Sequence, residues 1–302
     1  MARPLLLDDQ IRRNKAATVR LFVAVFVVLA LLVFAVGVVL GYPPYLTLVL
    51  ALLFGGIYFA IASRSSIPAI LKSARARPAN PAVREEKLLL FKVEELALAA
   101  QMPMPKVYVQ EDDDINAFAT GRKPEEGIVC VTTTALRELS AEELEGVLAH
   151  ELSHIRNYDI RVTTYAIALI GLVAMLGEIT VRALFFGGGR RDSRVHPVVI
   201  LVALAFVILA PILSRMVYFA ISRKREFLAD ATGAHLTRNP DGLARALQKI
   251  GARQPRPHHG DKTVASLYFD NPFRRLGRRE RGSLFSTHPP IEERIRRLRG
   301  QA

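Results

Sequence analysis

An uncharged apolar run over residues 21–40, LFVAVFVVLALLVFAVGVVL, constrains this chain more than any other feature. About 20 apolar residues in helical form can cross the roughly 30 Å hydrocarbon core of a bilayer. A helix in a soluble core would carry a polar face, and this run has none. The run therefore predicts a transmembrane helix.

A second apolar run, residues 45–62, follows the first after only the short segment GYPP. So short a connection, with two prolines, predicts a tight turn between antiparallel spans. A cleaved signal peptide is the alternative for the first run, but its apolar region would be shorter and no second span would follow at once. We therefore predict a helical hairpin in the membrane.

The placement of charge predicts the orientation of this hairpin. Much of the formal net charge of +13 lies beside the apolar runs, whereas the turn between the first two runs has no basic residue. By the positive-inside rule, both outer flanks face the cytoplasm. The single cysteine, Cys130, excludes an intramolecular disulfide and fits a reducing compartment. We therefore expect the domain that follows the hairpin to face the cytosol.

After the hairpin, the sequence changes to mixed polar and apolar character. Residues 64–82 are basic and contain three prolines, which indicates a linker at the membrane interface. Apolar spacing over residues 84–100 predicts an amphipathic helix. The β-rich runs 106–110 and 127–131 predict strands of a small sheet, and 116–121 is a candidate for a further short strand.

A helix with a recognisable start carries the clearest chemical motif of the chain. Ser140 is followed three residues later by Glu143, the pattern of a capping box. The apolar stripe that follows consists of Leu144, Val147, Leu148, Leu152 and Ile155. His150, Glu151 and His154, in the sequence HELSH, therefore lie on a helix next to its buried face.

This motif predicts a zinc peptidase. Residues four apart on a helix lie on the same face, so His150 and His154 can bind one zinc ion. Zinc lowers the pKa of a bound water toward about 7. Glu151 would accept the proton of that water during attack on a peptide carbonyl and then protonate the leaving amine. The alternative is a helix with two surface histidines, which predicts no third ligand.

A catalytic zinc site normally has a third protein ligand and one open position. Side-chain chemistry alone offers six candidates for that ligand: Asp159, Glu178, Glu226, Asp230, His235 and His288. Glu226 and Asp230 repeat the one-turn spacing on a predicted helix, so Glu226 could bind zinc while Asp230 orients a ligand histidine. A solvated helix face paired with the preceding basic residues is an equal alternative.

Two further apolar stretches, residues 163–176 and 198–213, lie between the histidine motif and Glu226. Each is shorter or more polar at its edges than the first two runs, and the connecting loop carries four arginines. Basic residues on the other side outnumber these, which favours a second spanning hairpin. A segment that dips into the bilayer without crossing it is the alternative.

Four motifs, in order along the chain, resemble the HtpX family of membrane zinc metalloproteases and, more distantly, the CAAX prenyl protease. They are NAFATG at 116–121, HELSH at 150–154, EFLAD at 226–230 and FSTHPP at 285–290. The resemblance implies that Glu226 is the third zinc ligand and that Asp230 supports the site. It further implies that His288 and Arg294 stabilise the transition-state oxyanion and that Asn116 binds the substrate backbone.

Taken together, these patterns predict an α+β fold: a mainly α-helical membrane protein with two transmembrane hairpins and a cytosolic zincin-like catalytic domain that carries a small β-sheet. The predicted divisions are an N-terminal hairpin (1–63), the first catalytic part (64–160), a second hairpin (161–221) and the second catalytic part (222–302). The resemblance implies an endopeptidase of the plasma (inner) membrane with one Zn²⁺ per chain. Its polypeptide substrates would be misfolded or damaged membrane and cytosol-facing proteins.

Three other functions compete with this prediction. The basic run 274–281 could bind nucleic acid, but no aromatic interleaving, recognition helix or zinc-finger spacing supports it, and contact with anionic lipid explains the run more simply. A non-catalytic metal-binding scaffold would not need Glu151. A prenyl-protein protease is the third alternative; the chain length and the modest number of predicted spans favour the HtpX type, because the resembling prenyl protease encloses its site in a larger helical barrel. The sequence predicts neither the cleavage-site preference nor the oligomeric state.

Overall fold

The computed structural model describes residues 43–162, 164, 223–253 and 289–300, together with residues 12, 16, 19, 20, 23, 26 and 27. The chain divides into two compact units. One comprises residues 1–15, 67–164 and 221–302, and the other comprises residues 16–66 and 165–220. The four-part division expected from the sequence stays a prediction.

Helix α1, Pro44–Ser73, contains the second predicted span and continues through the first half of the predicted linker. Many of its large apolar side chains are exposed, among them Tyr45, Leu48, Val49, Leu53 and Ile61. Among the helices in the described ranges, none combines the length and the apolar character needed to cross a membrane. Apart from residues 23, 26, 27, 161, 162 and 164, the first predicted span and the predicted second hairpin lie outside the described residues.

A four-stranded mixed sheet forms one layer of the first unit. Its strands are β1 (Arg77–Pro78), β2 (Lys106–Gln110), β3 (Ala117–Thr120) and β4 (Ile128–Thr132), in the order β1-β2-β4-β3. The central strands β2 and β4 run parallel, with Val109 opposite Val131, and the outer strands pair antiparallel to them. All residues of β3 and β4 are buried. The strands predicted at 106–110, 116–121 and 127–131 are therefore confirmed.

Three helices in the same part of the chain pack near this sheet. They are α2 (Arg84–Ala99), α3 (Thr133–Glu138) and α4 (Ala141–Arg156). Helix α4 begins with the predicted capping box: the Glu143 N–H donates to Ser140 Oγ at 3.3 Å, and the Ser140 N–H donates to Glu143 Oε2 at 2.8 Å. Together these bonds satisfy two backbone donors that would otherwise lack helical partners.

Three further helices complete the described part of the unit: α5 (Arg223–Thr237), α6 (Pro240–Ala252) and α7 (Ile291–Leu298). Helix α4 packs against both α5 and α6. A β-carbon at Gly233 of α5 would lie 3.0 Å from the backbone nitrogen of His150, and one at Gly146 of α4 would lie 2.6 Å from that of Leu243 in α6. Gly233 therefore allows the close approach of α5 to the histidine motif, and Gly146 allows the close approach of α6 to α4.

The hydrophobic core lies between the sheet and helices α2, α4 and α6. Its members include Leu89, Val93, Val109, Val129, Leu148, Leu152 and Leu247. The motif helix is thus fixed on its apolar side by the core, as its periodicity predicted.

Candidate metal centre

His150 and His154 lie one turn apart on α4, and each turns its Nε2 atom toward the other. The two Nε2 atoms are 3.1 Å apart, and the rings are nearly perpendicular, with centroids 4.7 Å apart. His150 is buried and His154 is partly buried. The pair therefore presents two nitrogen ligands to one position.

Glu226, in the first turn of α5, completes a cluster of three ligands. Its Oε2 lies 3.7 Å from His150 Nε2, and its Oε1 lies 3.5 Å from His154 Nε2. In a tetrahedral zinc site, bonds of about 2.0–2.1 Å place neighbouring ligand atoms about 3.3 Å apart. The three ligand atoms therefore have the spacing that a single zinc ion requires. Among the described residues, His150, His154 and Glu226 form a group that could bind a metal ion.

Asp230 and Arg294 lie on the other side of His150. The Asp230 Oδ1 atom is 2.9 Å from His150 Nδ1. Arg294, on α7, donates to the same carboxylate through Nε (2.9 Å to Oδ2) and Nη2 (2.6 Å to Oδ1). Because Nδ1 of His150 donates to Asp230, its Nε2 keeps a lone pair for a metal.

The burial of Glu226 and Asp230 decides one question that the sequence left open. Each residue is only 3% exposed, so the alternative of a solvated helix face is wrong for both. An uncompensated buried carboxylate is costly, which means that each needs a cation or a strong hydrogen-bond donor nearby. Asp230 has Arg294, and Glu226 faces the two histidines.

Asp159 contacts Nδ1 of His154, just as Asp230 contacts Nδ1 of His150. It lies just beyond the end of α4, and its Oδ2 is 3.1 Å from His154 Nδ1. The sequence offered Asp159 only as a candidate for the third ligand, whereas the structure places its carboxylate on the opposite side of the imidazole from Glu226. Both histidines thus have a carboxylate at Nδ1.

Burial and neighbouring charges shift the pKa values of this cluster. Burial lowers the pKa of His150 to about 4, and the charge of Arg294 acts in the same direction while Asp230 opposes it. Burial also lowers the pKa of His154, but the hydrogen bond to Asp159 and the charge of Glu226 outweigh it and raise the value to about 9. Burial would raise the pKa of Asp230, yet Arg294 and His150 hold it at about 2.

Among the remaining predicted site residues, the structure describes Glu151, Asn116 and Arg294. Glu151 is 3% exposed and follows His150 directly on α4. Asn116 is buried immediately before edge strand β3, where its Oδ1 accepts the Ala117 N–H at 3.1 Å. His288 lies outside the described residues. Arg294 pairs with Asp230, and its Nη2 also lies 3.4 Å from His150 Nδ1. Its oxyanion role stays a prediction, as does substrate binding by Asn116.

An HExxH helix whose histidines meet a glutamate from a second helix is the arrangement of a metalloprotease. Residues 84–302 match Peptidase family M48. The chain is 42% identical to a protease HtpX homolog of Listeria monocytogenes serotype 4a (strain HCC23) over 97% of its own length and 99% of the relative. It has the same identity and coverage with a protease HtpX homolog of Streptococcus uberis (strain ATCC BAA-854 / 0140J). The chain therefore belongs to peptidase family M48, and the resemblance to HtpX is confirmed.

A solved structure shares the fold. The crystal structure of S. mikatae Ste24p matches with a TM-score of 0.51 and 19% sequence identity. The match covers 90% of this chain, which spans 62% of the Ste24p chain. This likeness supports a mixed, mostly helical fold with a small sheet.

Sequence reasoning missed two features of the centre. It counted Arg225, which directly precedes Glu226, only among the basic residues that flank an apolar stretch, and it did not pair Arg294 with Asp230. The position of Arg225 directly before a candidate metal ligand was the sequence signal that could have indicated a role for it in the centre. No local pattern could have paired Arg294 with Asp230, since 64 residues separate them.

Proposed function

We propose that this metalloprotease is a zinc endopeptidase in which His150, His154 and Glu226 hold one zinc ion. The observation that carries the proposal is the set of ligand-atom separations, 3.1, 3.5 and 3.7 Å, which is close to the edge length of a tetrahedral zinc site. The donor set of two imidazoles and one carboxylate suits zinc and is a recurring set in catalytic zinc sites.

A zinc ion in this site would supply Lewis-acid activation of a water molecule and of the substrate carbonyl. Glu151 acts as the general base: its carboxylate accepts a proton from the attacking water and then donates it to the leaving amine. Its position, one residue after His150 on the same helix, places the carboxylate beside the ligands, and its burial limits competing contact with bulk water.

The substrate in this proposal binds at the edge of the sheet. In the described sheet, β3 is an outer strand, and an extended polypeptide beside the segment that begins at Asn116 would be recognised mainly through its backbone. His288 and Arg294 stabilise the oxyanion in this proposal, as the resemblance implies. Backbone recognition gives broad sequence preference, which suits the removal of misfolded or damaged proteins.

The proposed location is the plasma (inner) membrane, with the unit that holds the metal centre facing the cytoplasm. The uncharged run 21–40 and the exposed apolar side chains of α1 support insertion in a bilayer. The basic residues that flank the first two apolar runs support the orientation. Membrane proteins and cytosol-facing polypeptides would then be the accessible substrates.

The test follows cleavage of an unfolded protein substrate by the chain purified in detergent under a chelator and then given zinc. Glu151→Gln should bind zinc like the parent, but its cleavage rate should be about 10²–10⁴-fold lower, because only the general base is removed. Glu142→Gln is the matched control, since Glu142 lies on the same helix with an exposed side chain. Equal cleavage by the parent and Glu151→Gln would contradict the proposal.

A further inference from the structure

A partly buried cation that the proposed chemistry does not use lies beside Asp159. Arg225, the residue before Glu226 on α5, places Nη1 3.7 Å from Asp159 Oδ1. The other oxygen of this carboxylate, Oδ2, faces His154 Nδ1 at 3.1 Å. The Asp159 carboxylate therefore lies between His154, a predicted metal ligand, and helix α5, which carries the predicted ligand Glu226.

The environment of Arg225 shows that this placement is costly unless the charge is balanced. Its side chain is 14% exposed, and its Nη1 atom is buried with no hydrogen-bond partner among the described residues. Burial lowers the pKa of Arg225, whereas the charges of Asp159 and Glu226 raise it. An arginine kept under these conditions is held by electrostatic attraction to the carboxylates beside the metal centre.

The same arrangement occurs at the other histidine. His150 Nδ1 contacts Asp230, and Asp230 contacts the buried Arg294. Each imidazole thus has a carboxylate at Nδ1, and each carboxylate has an arginine beside it, which is buried at Asp230 and partly buried at Asp159. The two arginines come from α5 and α7, so both arrangements connect α4 to another helix.

We propose that Asp159 and Arg225 form a positioning pair that orients His154 for metal binding and holds the Glu226 end of α5 against α4. Asp159 accepts a hydrogen bond from the Nδ1–H group of His154, which leaves the Nε2 lone pair directed toward the metal position. Arg225 acts through Asp159, and its place beside Glu226 couples the orientation of His154 to the position of the third ligand. The inference rests on the proposed zinc site.

The test is zinc affinity, measured by competition with a chelator, for the parent, Asp159→Asn, Arg225→Met and the double variant. Loss of a carboxylate that orients a ligand histidine typically weakens metal binding about 10–100-fold, and we expect this range for Asp159→Asn. Arg225→Met should weaken binding several-fold. The double variant should bind zinc within about 2-fold of Asp159→Asn, because residues that act as a unit are not additive.

Two measurements separate positioning from a general loss of structure. Visible absorption of the Co²⁺-loaded protein should change in Asp159→Asn, since it reports the ligand geometry. Asp241→Asn is the matched control: this carboxylate on α6 also pairs with arginines, is half exposed and lies outside the centre, so its zinc affinity and Co²⁺ spectrum should equal those of the parent. If Asp159→Asn fails to fold because Arg225 is left uncompensated, the double variant removes both charges and carries the test.

The outcomes distinguish this inference from the proposed function. A parent that binds no zinc overturns the zinc site itself. A parent that binds one zinc while Asp159→Asn binds within about 2-fold of it overturns only the positioning pair. Losses in the two single variants that multiply in the double variant would show that Arg225 acts independently of Asp159, and would likewise overturn the pair.

Discussion

The buried Asp230–Arg294 pair permits a quantitative prediction about the stability of the metal centre. Arg294 is 1% exposed and Asp230 is 3% exposed, so Arg294→Met leaves a carboxylate in the interior without its main cation. Burial would raise the pKa of Asp230, but Arg294 and His150 together lower it from 3.8 to about 2, and this net difference is equivalent to about 2 kcal/mol. Breaking a buried ion pair by removing one partner typically costs about 3–5 kcal/mol, because the desolvated partner remains. The expected loss is therefore about 2–5 kcal/mol.

This loss should be measured as a shift in the thermal unfolding midpoint, in detergent and with chelator present, so that weaker metal binding does not contribute. At about 2–4 °C per kcal/mol for a domain of this size, Arg294→Met should lower the midpoint by roughly 5 °C or more. Arg296→Met, an exposed change on the same helix, should stay within about 0.5 kcal/mol of the parent. The double variant Asp230→Asn/Arg294→Met should recover part of the loss. An Arg294→Met midpoint equal to that of Arg296→Met would refute this reasoning.

Two further predictions concern the surroundings of the site. The hydrogen bonds from Arg77 lower the pKa of Glu86 in the folded chain, so Glu86 stabilises the fold above its ordinary pKa of 4.5 and this contribution is lost as the pH falls below that value. The unfolding midpoint of Glu86→Gln should therefore drop less than that of the parent between about pH 6 and pH 3, and an equal drop would contradict the assignment. Gly146→Ala should destabilise by about 1–3 kcal/mol, because its β-carbon would meet the backbone of Leu243 in α6. Gly251→Ala, whose β-carbon meets only the side chain of a neighbouring isoleucine at 3.4 Å or more, should be tolerated, and equal effects in both variants would show that helix contact is not the cause.

The part of the centre that could be predicted from sequence is the part encoded by local periodicity. The spacing of His150 and His154, the capping box at Ser140 and the apolar stripe together specify which face of α4 is buried. The one-turn spacing of Glu226 and Asp230 showed that both could face one site, but only the resemblance favoured that over a solvated face. Their burial in the structure supports the same conclusion on physical grounds.

The contacts that support these residues were not predictable, because they depend on tertiary packing. Arg294 reaches Asp230 from a helix 64 residues later, and Arg225 reaches Asp159 across the contact between two helices. Strand β1 has only two residues, one of them Pro78, so it has no alternation to detect. The sequence analysis predicted a linker from residue 64, whereas helix α1 continues to Ser73 with Pro68 in its interior.

The most direct test of the account is the zinc content and zinc X-ray absorption spectrum of the Glu151→Gln, Glu226→Gln and Glu142→Gln variants, measured beside the parent. We expect one zinc per chain, with nitrogen and oxygen donors at about 2.0–2.2 Å, in the parent, Glu142→Gln and the inactive Glu151→Gln. We expect weakened zinc binding and a changed first coordination shell in Glu226→Gln. A parent-like zinc shell in Glu226→Gln, or loss of zinc in Glu151→Gln, would contradict the assignment of ligand and base.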